Sequence, residues 1–195
     1  MPTRRLILAA AASAVLVRPA RAELVRLDGG NFTQSWFVDT FLELGSDVAE
    51  ATQKGKRLAI MWDLNGCPYC RRTHTEGFAD DSVASFVRER FDVMQLNLQG
   101  SREVTDLDGE KLTEKRFAAK YGVRFAPTFQ FFPETTEGLA AKKPAAREAA
   151  RAEGYFEPLR LKRVFAFVAE KAYAKQSLND YLGTPNAAPT GSQTQ

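Results

Sequence analysis

The sequence predicts an α/β fold in which a mixed central sheet is flanked by helices. Three observations carry this. Apolar runs of strand length alternate along the chain with segments of helical periodicity. A Cys-x-x-Cys stands directly between one such run and a helix start. The last two strand segments are consecutive, so they must pair as a hairpin and make the sheet mixed.

Before the first strand, Phe32 to Leu44 is rich in aromatic residues. Phe32, Trp36, Phe37 and Phe41 have helical spacing, so they read as a core-facing stripe rather than a binding platform. Asp47 to Lys54 reads as a short helix stopped at Gly55. Leu58-Ala59-Ile60-Met61-Trp62 is apolar throughout, as expected of a strand buried on both faces. Pro68 suits the first turn of a helix, where its missing N–H costs nothing. A helix from about Ser82 carries Val83, Phe86, Val87 and Phe91 at three-to-four spacing, and a strand follows over Asp92 to Leu98. A polar loop with Asp108-Gly109 leads to a helix over Thr113 to Tyr121, ended by Gly122. Phe125 to Phe132 is a strand with Pro127 near its start, and Gly154-Tyr155-Phe156 is its hairpin partner. The closing helix presents Leu161, Val164, Phe165, Val168 and Ala172 on one face. An insert before the last strand, Pro133 to Glu153, is rich in Ala, Lys, Arg and Glu. It reads as a solvated helical stretch interrupted by Pro144, a surface elaboration rather than a recognition arm.

The ends are set apart by composition. Arg4 and Arg5, an apolar run from Leu6 to Val17, and Ala20-Arg21-Ala22 form the three parts of an export signal over residues 1–22, cleaved after Ala22. The run is too short to cross a membrane, so no stable membrane anchor is expected. The paired arginines also fit a twin-arginine signal. A general secretory signal is preferred, because a small protein without a cofactor has little need to fold before export. Residues 183–195, poor in large apolar groups, read as a disordered tail, leaving one domain over 23–182. The leader holds four arginines and no acid, so without it the formal charge of +3 becomes −1. A nucleic-acid partner is therefore not indicated.

The chain has two cysteines, Cys67 and Cys70. A bond between them closes too small a ring to stabilise much, so the pair is there to react. Cys67, at a helix start, meets unpaired N–H groups and the positive end of the helix dipole, both of which favour thiolate. It is assigned as the nucleophile and Cys70, one turn inside, as the resolving thiol. Arg71 and Arg72 add positive charge or simply face water. A strand-start proline suggests a cis Ala126–Pro127 bond beside Cys67, with the Ala126 backbone open to pairing with an extended substrate. An ordinary turn proline is the plainer reading. His74, the single histidine, is expected to face solvent. With no second ligand cluster, neither a metal site nor a cofactor is expected. Haem attachment would need histidine at position 71, which is Arg71.

Trp62 to His74, together with Phe125-Ala126-Pro127-Thr128, resembles the thioredoxin superfamily over roughly Trp36 to Tyr181. Cys67-Pro68-Tyr69-Cys70, Asp108-Gly109, Gly154-Tyr155, Tyr173 and Tyr181 are similar to the periplasmic thioredoxins of bacterial sulfur-oxidation clusters, the SoxW-like group. The resemblance implies a thioredoxin fold and a periplasmic thiol–disulfide oxidoreductase. Its catalytic residues would be Cys67 and Cys70, and Tyr69, Ala126 and Pro127 would contact substrate. Its partners would be disulfide-bearing exported proteins, including the carrier of thiosulfate oxidation, and a membrane thiol transporter that supplies electrons. Three residues depart from the common pattern. Gly66 replaces a tryptophan before the first cysteine. Met61 stands where a buried aspartate assists proton transfer. Asp63, two residues on, could partly replace that aspartate, but a solvated strand-end carboxylate is the preferred reading. Pro68-Tyr69 is shared with glutaredoxins, so redox direction stays open. A disulfide donor or isomerase is the alternative within the class, and a redox-inactive or copper-handling binding module is the alternative outside it.

Overall fold

Strand β3 (Arg57–Asp63) is apolar at consecutive positions because both its faces are covered. In the computed structural model, which describes residues 24–27 and 31–183, it lies inside a four-stranded sheet. It pairs in parallel with β4 (Phe91–Asn97), Ile60 opposite Met94, and antiparallel with β7 (Thr128–Phe131), Ala59 opposite Phe131. The outer strand β8 (Ala150–Glu153) pairs with β7, Phe129 opposite Ala152. The alternation of side chains divides β3 between two cores. Leu58, Ile60 and Trp62 point to one, where helices α1 (Leu44–Gln53) and α4 (Glu114–Tyr121) add Val48, Phe117 and Tyr121. Ala59 and Met61 point to the other, where α3 (Asp81–Arg90) and α5 (Pro158–Ala169) add Val87, Val164 and Phe165.

Local chemistry sets the helix ends. The Asp80 side chain accepts from the N–H groups of Ser82 and Val83 at 2.9 and 3.1 Å and so caps α3. Thr113 caps α4, and Gly122 closes it at φ 69°, a left-handed conformation that favours glycine. The active-site helix α2 (Pro68–Arg72) begins on a proline and continues as a π-turn over Thr73–Gly77. Leu161, Val164, Phe165 and Val168 of α5 are all buried, and Ala172 lies in the 3₁₀ turn that follows. The chain closes on α6 (Leu178–Gly183), so Gly183 ends a helix. The leader (1–22) and the tail beyond Gly183 lie outside the described residues. Among the described residues no helix is long and apolar enough to cross a membrane.

The structure corrects three expectations. Phe32 to Leu44 is not helical. Residues 32–34 form β2 (Phe32–Gln34), a hairpin with β1 (Leu24–Arg26), and the Val38 N–H bonds to the Val93 carbonyl beside β4. Trp36 and Phe37 pack on the second core, whereas Phe41 is 96% exposed. Helical spacing here arises from two unrelated contacts rather than from one face. Secondly, the insert forms no α-helix. It runs through turns and a short 3₁₀ segment at Pro144–Ala146, with Gly138 at φ 69°. Its last residues are themselves β8, so the hairpin strand lies at 150–153 and not at 154–156. Thirdly, the Asp108-Gly109 loop is the tip of a small hairpin between β5 (Glu103–Thr105) and β6 (Lys111–Thr113).

An ion cluster binds the insert to that tip. Arg147, 4% exposed, donates to Asp106 at 2.7 Å and to Asp108 at 2.8 Å, and its remaining N–H groups reach the Lys142 and Ala140 carbonyls. Lys120 reaches the same two aspartates, and the Tyr121 hydroxyl donates to Asp106 at 2.6 Å. Removing one partner of a buried pair leaves the other charge unsatisfied. Arg147→Met is therefore expected to lower unfolding free energy by about 3 kcal/mol in urea titrations, with Lys120 retaining part of the pairing. Lys111→Ala, which breaks the exposed pair with Glu103, should leave stability close to that of the wild type. Equal losses in the two variants would contradict a structural role for the cluster.

Candidate active site

Where β3 ends, the chain turns through Gly66, at φ 74°, and places Cys67 as the N-cap of α2. Gly66 is thus where a backbone constraint meets the site: a side chain there would be strained. The Cys67 N–H donates to the Leu64 carbonyl at 3.1 Å, and the Cys70 N–H points at the Cys67 sulfur at 3.1 Å. The two cysteines are joined as a disulfide with Cα atoms 5.3 Å apart. Cys70 is buried, whereas Cys67 is partly exposed. When the bond opens, the Cys67 sulfur faces an N–H donor and the start of a helix, both of which stabilise thiolate.

The segment before β7 forms the other bank. The Ala126–Pro127 peptide is cis, and the Ala126 carbonyl oxygen lies 3.6 Å from the Cys67 sulfur. Thr128 donates its hydroxyl to the Phe125 carbonyl at 2.9 Å, bracing this bend. Tyr69 and Phe125 are both more than half exposed, and the Tyr69 ring lies 6.1 Å from that of Tyr155. The Arg72 guanidinium stacks on Tyr155 and grips Glu76 through two nitrogens, so it is tied into the helix surface rather than pointing free into water. All five sequence-predicted site residues therefore gather at one end of the sheet, with Cys67 between Tyr69 and Ala126.

Two residues behave differently from expectation. Asp63 is 3% exposed, because Gln95 of β4 and the β1–β2 hairpin close over it. Its carboxylate accepts from the Leu64 N–H at 2.6 Å and from the Gln95 amide at 2.8 Å. Loss of solvent outweighs both bonds and pushes its pKa up to about 6. His74 is 1% exposed rather than solvent-facing. The π-turn sends it inward, where the Phe37 and Phe78 rings and Gln34 enclose it. Burial pulls its pKa down to about 4. Its Nε2 has no hydrogen-bond partner and lies 3.9 Å from an Asp63 oxygen. A carboxylate oxygen of Asp63 and the two cysteine sulfurs lie within 4.8 Å of one another. Such a trio becomes a set of metal ligands only with the dithiol reduced, since disulfide sulfurs are bonded to each other.

A model of the thioredoxin-like domain matches residues 44–169. The chain belongs to the thioredoxin-like family. The matched span of this thioredoxin-like chain includes Asp63, Cys67, Cys70, Ala126 and Pro127, and leaves the β1–β2 hairpin outside. A thioredoxin-fold protein from Helicobacter pylori superposes with a TM-score of 0.55 at 18% identity, over 75% of this chain and 84% of that one, which supports the fold. A thioredoxin from Thermus thermophilus gives 0.45 at 21% identity, over 68% and 85%. A DsbH oxidoreductase gives 0.44 at 12%, over 86% and 96%. No curated protein matches the chain by sequence.

The buried acid and imidazole titrate in opposite senses. With its native pKa raised, Asp63 favours the fold when protonated, and stability erodes as pH rises from its ordinary 3.8 through about 6. His74 stays neutral down to about 4, while an unfolded imidazole takes a proton near 6.5, so its contribution is lost as pH falls through that interval. Asp63→Asn removes the first effect and leaves His74 in place. Relative to wild type, the variant should gain stability as pH rises, the gap growing by about 3 kcal/mol between about pH 4 and pH 7 in urea unfolding of the oxidised form. A gap that does not change with pH would mean that Asp63 titrates as an ordinary carboxyl.

Proposed function

We propose that this protein is an exported thiol–disulfide oxidoreductase that reduces disulfides of other exported proteins. The observation that carries this reading is the pairing of a partly exposed Cys67, at the cap of a helix, with a buried Cys70 already bonded to it. That asymmetry suits one sulfur to meet a substrate and the other to finish the exchange. In the reduced enzyme the Cys67 thiolate attacks a substrate disulfide, forming a mixed disulfide and releasing one substrate sulfur as thiolate, which takes a proton. Cys70, as thiolate, then attacks the Cys67 sulfur. This closes the Cys67–Cys70 bond and releases the second substrate thiol. Two electrons have passed from enzyme to substrate, and a dithiol donor must return them. A membrane thiol transporter fills that role in the reading we favour.

Recognition is assigned to the opposite bank. An extended substrate segment lies beside Ala126 and Pro127, main chain to main chain, with Tyr69 and the exposed Phe125 on its flanks. Phe125 adds an aromatic contact that the sequence reading left within a strand. The similarity of Cys67-Pro68-Tyr69-Cys70 and the closing helices to the SoxW-like group makes carrier proteins of sulfur oxidation the first substrates to test. The export signal read over residues 1–22 supports a periplasmic setting for the reaction.

In Cys70→Ser the second displacement is blocked, so covalent adducts on Cys67 should accumulate when the variant is expressed with its leader. They should run as reducible bands on non-reducing gels, and Cys67→Ser should show none. Failure to trap any adduct would count against the exchange scheme. The equilibrium potential of the pair against glutathione then sets direction. A value near about −270 mV fits a reductase, and one near about −120 mV would make the protein an oxidant.

A further inference from the structure

The disulfide is also approached from the side away from Ala126. A cavity of about 310 Å³ opens there, with Gly66, Cys67, Pro68 and Cys70 on one wall and Arg26, Asn31, Phe32 and Arg71 among the residues facing them. Its volume is at the lower end of the range for small-ligand sites. The outer wall is the β1–β2 hairpin, which lies before the span matched by the family model. The hairpin therefore supplies, from outside the matched span, one wall of a cavity that Cys67 and Cys70 also line.

The charge of that wall is uneven. Arg26 projects from β1 and Arg71 from α2. Among the described residues neither guanidinium has a carboxylate partner, and the contact found for Arg71 is with the Phe32 ring, 5.5 Å from the centroid. The neighbouring Arg72, by contrast, is fully engaged with Glu76 and Tyr155. Among the described residues one acid lines the cavity, Asp63, and its oxygens are held by the Leu64 N–H and the Gln95 amide. Two cations thus line the cavity beside the disulfide with no ion pair to a described residue, and the Phe32 ring packs against Arg71. An arginine with a free fork is suited to binding a carboxylate.

We infer that the β1–β2 hairpin and α2 form a carboxylate-binding pocket beside Cys67, which selects disulfides that carry an acidic group next to the reacting sulfur. This rests on the oxidoreductase reading and names its substrate class. The substrate sulfur meets Cys67 at the shared edge, the segment on one side of it lies along Ala126, and the carboxylate on the other side enters between Arg26 and Arg71. The carboxylate belongs either to an acidic side chain of a protein substrate or to a small thiol such as glutathione.

The test uses the reduced protein and two peptides that differ in having two glutamates or two lysines beside one cysteine, held as a mixed disulfide with uncharged 2-thiopyridine. Release of thiopyridone reports the first displacement. Wild type should release thiopyridone with a second-order rate constant about fivefold higher for the glutamate peptide, each reduced molecule reacting once, as expected of partly exposed charge pairs. Added salt should shrink that ratio, and Arg26→Glu should bring it to parity or reverse it. A parallel arm compares oxidised glutathione with its ethyl ester. An Arg26-dependent preference for the free acid assigns the pocket to a small thiol, and a preference confined to the peptides assigns it to protein substrates. Turnover of both peptides at equal rates, insensitive to salt and to Arg26→Glu, overturns the proposal and leaves the oxidoreductase reading standing. No turnover on any disulfide removes that reading and the pocket's role with it.

Discussion

Everything at the reactive end depends on β3 being covered on both faces and hydrogen-bonded along both edges. A strand so placed has little freedom to slide or tilt, because Arg57–Asp63 pair with Phe91–Asn97 on one side and Ala59–Trp62 with Thr128–Phe131 on the other. Its end is therefore a fixed point from which the chain can launch a turn and a helix. The Cys67 sulfur comes to rest 3.6 Å from the Ala126 carbonyl because both lie just past the ends of paired strands, Trp62 being opposite Thr128. The sheet sets the distance between the Cys67 sulfur and the Ala126 carbonyl, and neither loop has to do so alone.

The same burial governs the electrostatics. Asp63 follows Met61 by two residues, so it points to the same face, towards the second core and His74. A carboxylate there loses most of its hydration, and two hydrogen bonds do not replace it. The result is an acid near 6, within 4.8 Å of both sulfurs. An acid at that position and in that range can take or give a proton as the dithiol opens and closes. Position 61, apolar here, is left free to pack. The acid reaches the sulfurs from the end of the strand rather than from its middle, and closure of the hairpin over it keeps it dry.

Much of this was legible in the sequence, and the parts that were not share a cause. The runs of β3 and β4, the Cys67-x-x-Cys70 helix start and the apolar face of α5 are signals local in sequence, and each falls within a residue or two of its expected place, whereas β7 starts three residues later than expected and β8 lies before Gly154. Asp63 and His74 read as solvated from the sequence because the groups that bury them, Gln34, Phe37 and Gln95, come from segments 32 or more residues away. The alternation rule would have placed Asp63 inward had it been carried two residues past Met61. His74 offered less, since a π-turn shifts helical register without an evident sequence mark. The Ala/Lys/Arg/Glu insert misled by composition. Helix formers promise a helix only where no stronger contact competes, and here Arg147 is drawn into the Asp106–Asp108 cluster while Ala150 to Glu153 are taken up by the sheet.

These contacts divide the molecule into a part that sets chemistry and a part that can vary around it. The insert is anchored at its far end by Arg147 and at its near end by Glu134, which pairs with Arg57 and Lys171. Both anchors lie away from the disulfide. Within the insert only the end of β8, where Glu153 stands opposite Thr128, comes near the Pro127 bend. The β1–β2 hairpin has the opposite placing. It brings Arg26, Asn31 and Phe32 to the disulfide, and the Gln95 amide bridges the Phe32 carbonyl to Asp63. A change in the hairpin therefore reaches both the wall of the cavity and the hydration of the buried acid. Selectivity and proton affinity are coupled through one short segment outside the matched domain, which makes that segment, rather than the larger insert, the place where this chain can depart in function from others built on the same fold.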